Sequence, residues 1–228
     1  MIELTILIPC LNEENTVVGC VRQATTFLHS HGIEGEVLVA DNGSLDKTVL
    51  LAKGAGARVI TCRKKGYGNI LRYGIREAAG RYVLMADGDM SYHFAEAGPL
   101  VEALRGGADL VVGNRFALPM EKGAMPPLHR FFGVPFLSVV GRFRYRTGVK
   151  DFHCGMRAVN RTSFLKLGCR CSGMEFATEM IGRAAIAGQT IVQVPVKLYK
   201  DRRGRRAHVR SFRDGFRHLF LMLGIPLG

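Results

Sequence analysis

From the N-terminus to residue 112, short apolar runs that end in polar, glycine-containing loops take turns with segments of helical period. Leu4-Thr5-Ile6-Leu7-Ile8-Pro9 is apolar on both faces, as a buried parallel strand must be, and the proline stops it. Val17 to His31 has helical spacing. Glu36 to Ala40, Ala57 to Thr61, Arg81 to Ala86 and Asp109 to Val112 read as further strands. Helical patterns through Ala55, from Asn69 to Ala79 and from Phe94 to Arg105 separate them. This order predicts an α/β fold with a doubly wound, mostly parallel sheet. Such sheets bind ligands outside the carboxyl ends of their strands. The segments Pro9–Glu13, Asp41–Asp46, Arg63–Asn69 and Asp87–Ser91 all fall at those ends.

Beyond residue 115 the alternation weakens. Leu128 to Tyr145 and Gly173 to Gly188 have roughly helical spacing, Ile191 to Val196 reads as a strand, and Lys197 to Arg210 is strongly basic. Ser211 to Leu223 reads as an amphipathic helix. The chain has 228 residues, which suits one domain, and its 47% hydrophobic content excludes disorder. Lysine and arginine number 32 against 19 acids, a net charge of +13, which favours phosphates, nucleic acid or an anionic membrane surface as partners. No basic motif interleaved with aromatics supports nucleic acid, and none is expected as a partner. Six cysteines without a C-x-x-C pair fit neither a zinc site nor a disulfide scaffold, and point to a reducing compartment. The N-terminus lacks a signal-peptide pattern, and Leu219 to Leu227 is too short to cross a bilayer.

Two carboxylates in Asp87-Gly88-Asp89, just past a buried strand, repel one another unless a cation joins them. Mg²⁺ takes one or two carboxylates together with substrate phosphate oxygens, so this pair is a candidate metal site; a solvated turn is the plain alternative. Asp41 at a strand end can accept hydrogen bonds from a nucleobase or ribose. Asn12, Ser44 and Asp46 serve equally well as helix caps, and Glu13 and Glu14 as acids in a first helical turn. Lys64-Lys65-Gly66-Tyr67-Gly68-Asn69 is either a phosphate cradle or a solvated basic turn.

In order, I-P-x-x-N-E-E, D-N-G-S-x-D, K-G-Y-G, D-G-D-x-S and Gly113-Asn114-Arg115-Phe116 resemble family-2 glycosyltransferases of the GT-A fold. Asp151 to Arg157, Gly173 to Glu179 and Val194-Pro195-Val196 resemble segments of the dolichyl- or polyprenyl-phosphate sugar synthases, with Gln193 in place of the usual acid. The resemblance implies a metal-dependent, inverting transfer of a sugar from a UDP- or GDP-linked donor to a polyprenyl phosphate. It implies Pro9, Asn12, Glu13, Asp41, Lys64, Gly68, Asp87 and Glu179 as donor contacts, with Asp41 on the nucleobase. It implies Asp87 and Asp89 as ligands of Mg²⁺ or Mn²⁺, and Asp151 near the reaction centre. Arg115, Arg130, Arg202 and Arg205 would hold the acceptor phosphate, the loop Arg202 to Arg206 closing over it. His153 is either a site or a structural histidine, and Cys154 reads as packing.

The expected organisation is one domain over residues 1–210, with a nucleotide-sugar half at 1–115 and an acceptor half at 116–210. Residues 211–228 would be an interfacial helix, its stripe of Phe212, Phe216, Leu219, Phe220 and Leu223 flanked by Arg210, Arg213 and Arg217. The expected location is the cytoplasmic face of a membrane, peripherally bound. The alternative is the same fold acting on a soluble or polysaccharide acceptor, with Asp151 as general base.

Overall fold

The computed structural model describes residues 2–204 and 211–224. Its centre is a seven-stranded sheet in the order β3-β2-β1-β4-β6-β5-β7. The first four strands are β1 (Leu4–Cys10), β2 (Gly35–Asp41), β3 (Arg58–Thr61) and β4 (Tyr82–Met85), and they run parallel. β1 is buried at nearly every position and lies between β2 and β4. It continues through Pro9 to pair Cys10 with Asp41. Pro9 lies beyond the ladder with β4, which ends where Met85 faces Leu7, so no bond on that side is lost to the ring nitrogen.

Helices cover both faces. α1 (Val17–Ser30) buries Val17, Cys20, Val21, Ala24, Phe27 and Leu28, a stripe at three- and four-residue spacing. Glu13 and Glu14 therefore precede the helix rather than lie in its first turn. α2 (Thr48–Gly54) starts where Asp46 accepts a bond from the Thr48 amide at 3.0 Å. α3 (Tyr67–Glu77) buries Gly68, Ile70, Leu71, Gly74 and Ile75. The expected helix from Phe94 to Arg105 is a short 3₁₀ turn at Phe94–Glu96 followed by α4 (Gly98–Arg105), with Pro99 in its first turn.

The second half completes the sheet. β5 (Leu110–Asn114) and β7 (Ile191–Pro195) run parallel, and β6 (Arg157–Asn160) lies between β4 and β5, antiparallel to both. The sequence pattern gives no expectation of β6, nor of the short α6 (Arg161–Lys166) that follows it. β6 is four residues long and opens on an arginine, so it has no apolar run. The Arg157 guanidinium is nonetheless buried, and donates to the carbonyls of Cys154, Ala177 and Phe152 at 2.6–2.8 Å. Those three bonds satisfy a charge that would otherwise exclude the residue from a central strand.

A π-helical turn at His129–Gly133 leads into α5 (Val134–Tyr145). α7 (Phe176–Ile186) is buried almost all round. α8 (Ser211–Met222) packs against α5 and α7. Its buried residues are His218 and Met222, whereas Phe216, Phe220 and Leu223 of the expected stripe are exposed and Leu219 is half-buried. The Phe212 side chain and Arg210 lie outside the described residues. Among the described residues no helix is long and apolar enough to cross a membrane.

Candidate active site

The carboxyl ends of β1, β2 and β4 open on a cavity of about 490 Å³. The end of β1 supplies Pro9, the loop after it Leu11 and Glu13, and the loop after β4 supplies Asp87, Gly88 and Asp89. Lys65 and Tyr67, with Ser172 and Gly173, form one wall, and Arg213, Asp214 and Arg217 of α8 form another.

Side chains of the β1 and β2 loops knit the floor. Asn12, in the left-handed region at φ 57°, accepts a bond from the Leu45 amide at 2.8 Å, and its own amide donates to Ser44 Oγ at 2.8 Å. The Glu13 amide donates to Thr48 Oγ1 at 2.7 Å. Asp41 is buried and accepts from the amides of Gly43 and Ser44. Neither Asn12 nor Asp41 lines the cavity: both shape the loops around it. Asn42, missed in the sequence, does line it. Its amide group donates to Cys62 O and Lys64 O and accepts from Gly66 N, which pins the loop after β3.

That loop turns at Gly66, whose φ of 125° suits glycine; a Cβ there would also lie 2.3 Å from Ser172 O. Gly68 is as tight: a Cβ would meet Cys171 O at 2.3 Å, so the glycine permits contact between α3 and the 171–173 segment rather than contact with a ligand in the cavity. Lys65 reaches in and donates to the carbonyls of Asn42 and Gly43, whereas Lys64 points into a separate cleft.

Asp87 Oδ1 accepts from the Tyr67 hydroxyl at 3.0 Å, and desolvation raises the Asp87 carboxyl above its ordinary value. Asp89, only 4% exposed, accepts from Ser91 N at 2.9 Å and forms an ion pair with Arg203. The Arg203 guanidinium also stands 3.8 Å from Glu13 and 3.6 Å from Asp201. Arg202 contributes its amide to Asp89 O at 2.9 Å and has an exposed side chain. Arg205 and Arg206 lie outside the described residues.

Arg115 and Asp151 do not line the cavity but form a buried pair beside it. The Arg115 fork meets Asp151 through Nε at 2.7 Å and Nη2 at 2.8 Å, and its amide adds a third bond at 3.1 Å. Burial works to raise the Asp151 carboxyl, but the guanidinium together with the amides of Arg115 and His153 holds the group below its usual value. Arg130 does not line the cavity, and its guanidinium lies over the Phe131 ring at 5.4 Å. Glu179 spends its carboxylate on the amides of Arg170 and Cys171 and on Arg183, bracing the segment that runs into Ser172. Glu175, four residues earlier and unmarked by the sequence pattern, is the acid linked to the cavity: it takes the Arg217 fork at 2.7 and 2.9 Å. Cys154 is buried, its thiol pushed up to about 11 by burial.

The model of the family described as Glycosyl transferase family 2 matches residues 5–168. The chain belongs to that family. Among curated relatives, the low-salt glycan biosynthesis hexosyltransferase Agl6 of Haloferax volcanii is 38% identical over 221 residues, 96% of this chain and 53% of the relative. Glycosyltransferase AglJ of the same organism is 33% identical over 211 residues, 92% of this chain and 67% of its own length. The chain thus spans about half the length of the first of these relatives. Among solved structures, glucosyl-3-phosphoglycerate synthase from Mycobacterium tuberculosis, in complex with Mg²⁺ and uridine diphosphate, has a TM-score of 0.77. The match covers 99% of this chain and 81% of that one at 22% identity, and establishes a shared fold.

The donor set of this family 2 chain fits a hard divalent cation. Asp87 and Asp89 face one cavity, and Asp89 already attracts a guanidinium. Among the described residues no three His, Cys, Asp or Glu side chains are grouped for a metal, so the two carboxylates would hold the cation together with donor phosphate oxygens and water, as is common for Mg²⁺.

Behind Arg217 lies a pair of histidines. His153 does not line the cavity; its ring stands edge-on to His218 with centroids 4.4 Å apart, and His218 Nδ1 is 2.7 Å from Thr178 Oγ1. Burial pushes His218 down to about 4 and His153 well below its ordinary value. The unfolded chain, with histidines near 6.5, therefore binds more protons than the native one between about pH 6.5 and 4. Stability is expected to fall as pH falls through that window, by up to about 1.4 kcal/mol per pH unit for each histidine. Thermal melts from pH 4 to 7 test this, and His218→Gln is expected to flatten the slope.

Proposed function

We propose that this chain transfers a hexose from a UDP- or GDP-linked donor to the phosphate of a polyprenyl phosphate, working at a membrane surface. The supporting observation is the double role of α8. One side of that helix walls the cavity with Arg213 and Arg217, while Phe216 and Phe220 elsewhere on it, and Leu223 just past its end, stand exposed. Neighbouring α5 and its π-helical turn add Phe131, Phe132, Phe136 and Phe143, the last 82% exposed. Arg130 and Arg144 sit over rings of the same region. Aromatic side chains beside cations suit the interface between lipid headgroups and acyl chains.

The chemistry then follows from charge. Pro9, Asn42 and Lys65 border the space for the nucleotide. Asp87 and Asp89 would hold the divalent cation, which offsets charge developing on the diphosphate leaving group. Arg203, freed from Asp89, would turn to the same phosphates with Arg213 and Arg217. A phosphate acceptor is ionised near neutral pH and needs alignment more than a general base. In-line attack on the anomeric carbon forms the new C–O bond as the nucleoside diphosphate departs, inverting the configuration. Agl6 bears the name of a glycan-biosynthesis hexosyltransferase, in keeping with this class of reaction.

Turnover of polyprenyl phosphate in vesicles, and little with soluble alcohols or phosphorylated acids, is the expected result. Phe132→Asp together with Phe220→Asp is expected to lower vesicle binding at least about tenfold and to leave donor affinity intact. Equal turnover with soluble acceptors, or binding indifferent to those substitutions, would transfer the reading to a soluble acceptor.

A further inference from the structure

A second cleft, of about 670 Å³, lies on the far side of the two segments that wall the active-site cavity. The segment after β3 and one side of α3, from Asn69 to Arg76, form one bank, and Gly168, Cys169 and Arg170 form the other. Arg63, Lys64, Arg72, Arg76 and Arg170 line it together with Tyr73, and no carboxylate does. Four arginines elsewhere on the molecule are matched with acids: Arg58 with Glu36, Arg105 with Glu3, Arg183 with Glu179 and Arg217 with Glu175. Among the described residues none of the five cations in the cleft is paired with an acid. Arg72 and Arg76 stand one helical turn apart, where like charges repel.

Arg72 is held in place. Its Nη1 donates to Cys169 O at 3.0 Å and its Nη2 to Asn69 Oδ1 at 2.8 Å, so the guanidinium is fixed across the cleft before any ligand arrives. Guanidinium forks suit phosphate oxygens, which accept in pairs. A volume of this size accommodates a small organic ligand.

We propose that this cleft is a binding site for a ligand carrying two or more phosphate charges, separate from the donor cavity. The banks connect it to that cavity: the amides of Gly68 and Asn69 donate to Ser172 O at 2.9 and 3.3 Å, and Ser172 and Gly173 face the other side. An anion bridging Arg76 and Arg170 draws these banks together. The same phosphate chemistry is offered by a soluble diphosphate and by an anionic lipid headgroup.

Titration calorimetry of the full chain with inorganic pyrophosphate, in EDTA, is the test. Arg76→Glu with Arg170→Glu is expected to weaken one binding event about a hundredfold, tenfold for each lost cation. Arg142→Glu with Arg144→Glu on α5 changes the net charge equally and is expected to leave that event in place. Unchanged affinity in the first variant, or equal loss in the second, would overturn the proposal. Circular dichroism melts confirm that both variants fold. Co-sedimentation with phosphatidate vesicles separates the sources. Loss of vesicle binding in the Arg76/Arg170 variant assigns the site to a lipid headgroup; its retention, with pyrophosphate binding lost, assigns it to a soluble phosphate.

Discussion

Asp89→Ala is expected to lower sugar transfer by roughly a thousandfold, the scale at which electrostatic stabilisation of a developing charge is lost. The side chain ends β4's loop inside the cavity, next to Asp87 and opposite the cations of α8. The fold is expected to survive. Arg203 keeps Glu13 and Asp201 as neighbours, so the deletion strands no buried cation. The loop keeps its backbone bonds, including Thr16 Oγ1 to Gly88 O at 2.6 Å. Initial rates with nucleotide sugars, alongside a thermal melt, separate the two effects. Full activity in this variant, or in wild type with EDTA, would remove Asp89 and the cation from the reaction.

Arg115→Ala is expected to act first on stability. It leaves Asp151, 0% exposed, as an uncompensated charge in the interior, a situation that typically costs about 3–5 kcal/mol. The sign of the pH dependence follows from the pair. Asp151 titrates below its unfolded value, so its contribution is present above about pH 4 and is lost as pH falls through the native value. The gap between variant and wild type should therefore narrow in acid. Replacing both partners with apolar residues, Arg115→Met and Asp151→Leu, is expected to recover much of the loss, because no charge then remains buried. Denaturant melts of wild type, Arg115→Met, Asp151→Leu and the double variant supply the cycle. If the double variant is stable and its acceptor KM is unchanged, Arg115 is a strut; if KM rises alone, the arginine also meets the acceptor phosphate.

The parallel half of the fold was legible because a strand buried on both faces leaves a continuous apolar run, as Leu4 to Ile8 does. β6 was not, because its burial rests on three carbonyls that accept from Arg157, and those lie at 152, 154 and 177. At the site, loop position was legible and side-chain direction was not. Pro9, Glu13, Asp87 and Asp89 line the cavity, but Lys65 rather than Lys64 does, and Asn42 rather than Asp41. At a strand end the chain alternates faces, so adjacent residues of similar chemistry part company. Glu175 and Glu179 share a helical neighbourhood, and only the Arg217 contact distinguishes the acid that touches the cavity wall. The acceptor-phosphate reading of Arg115 arose from its type and place, which do not reveal a carboxylate already bound to its fork.

The antiparallel β6 has a consequence for how the molecule is made. β4 and β5 are never neighbours; the strand that joins them begins at Arg157, more than forty residues after β5 ends. A nascent chain released only to residue 115 would carry both β4 and β5 with unsatisfied ladder edges, an invitation to pair with other chains. The two halves thus interleave, and the first cannot close its sheet until the second has left the ribosome. Cutting the gene between them is expected to yield aggregates, whereas co-expressed fragments that meet at β6 have a route to complementation.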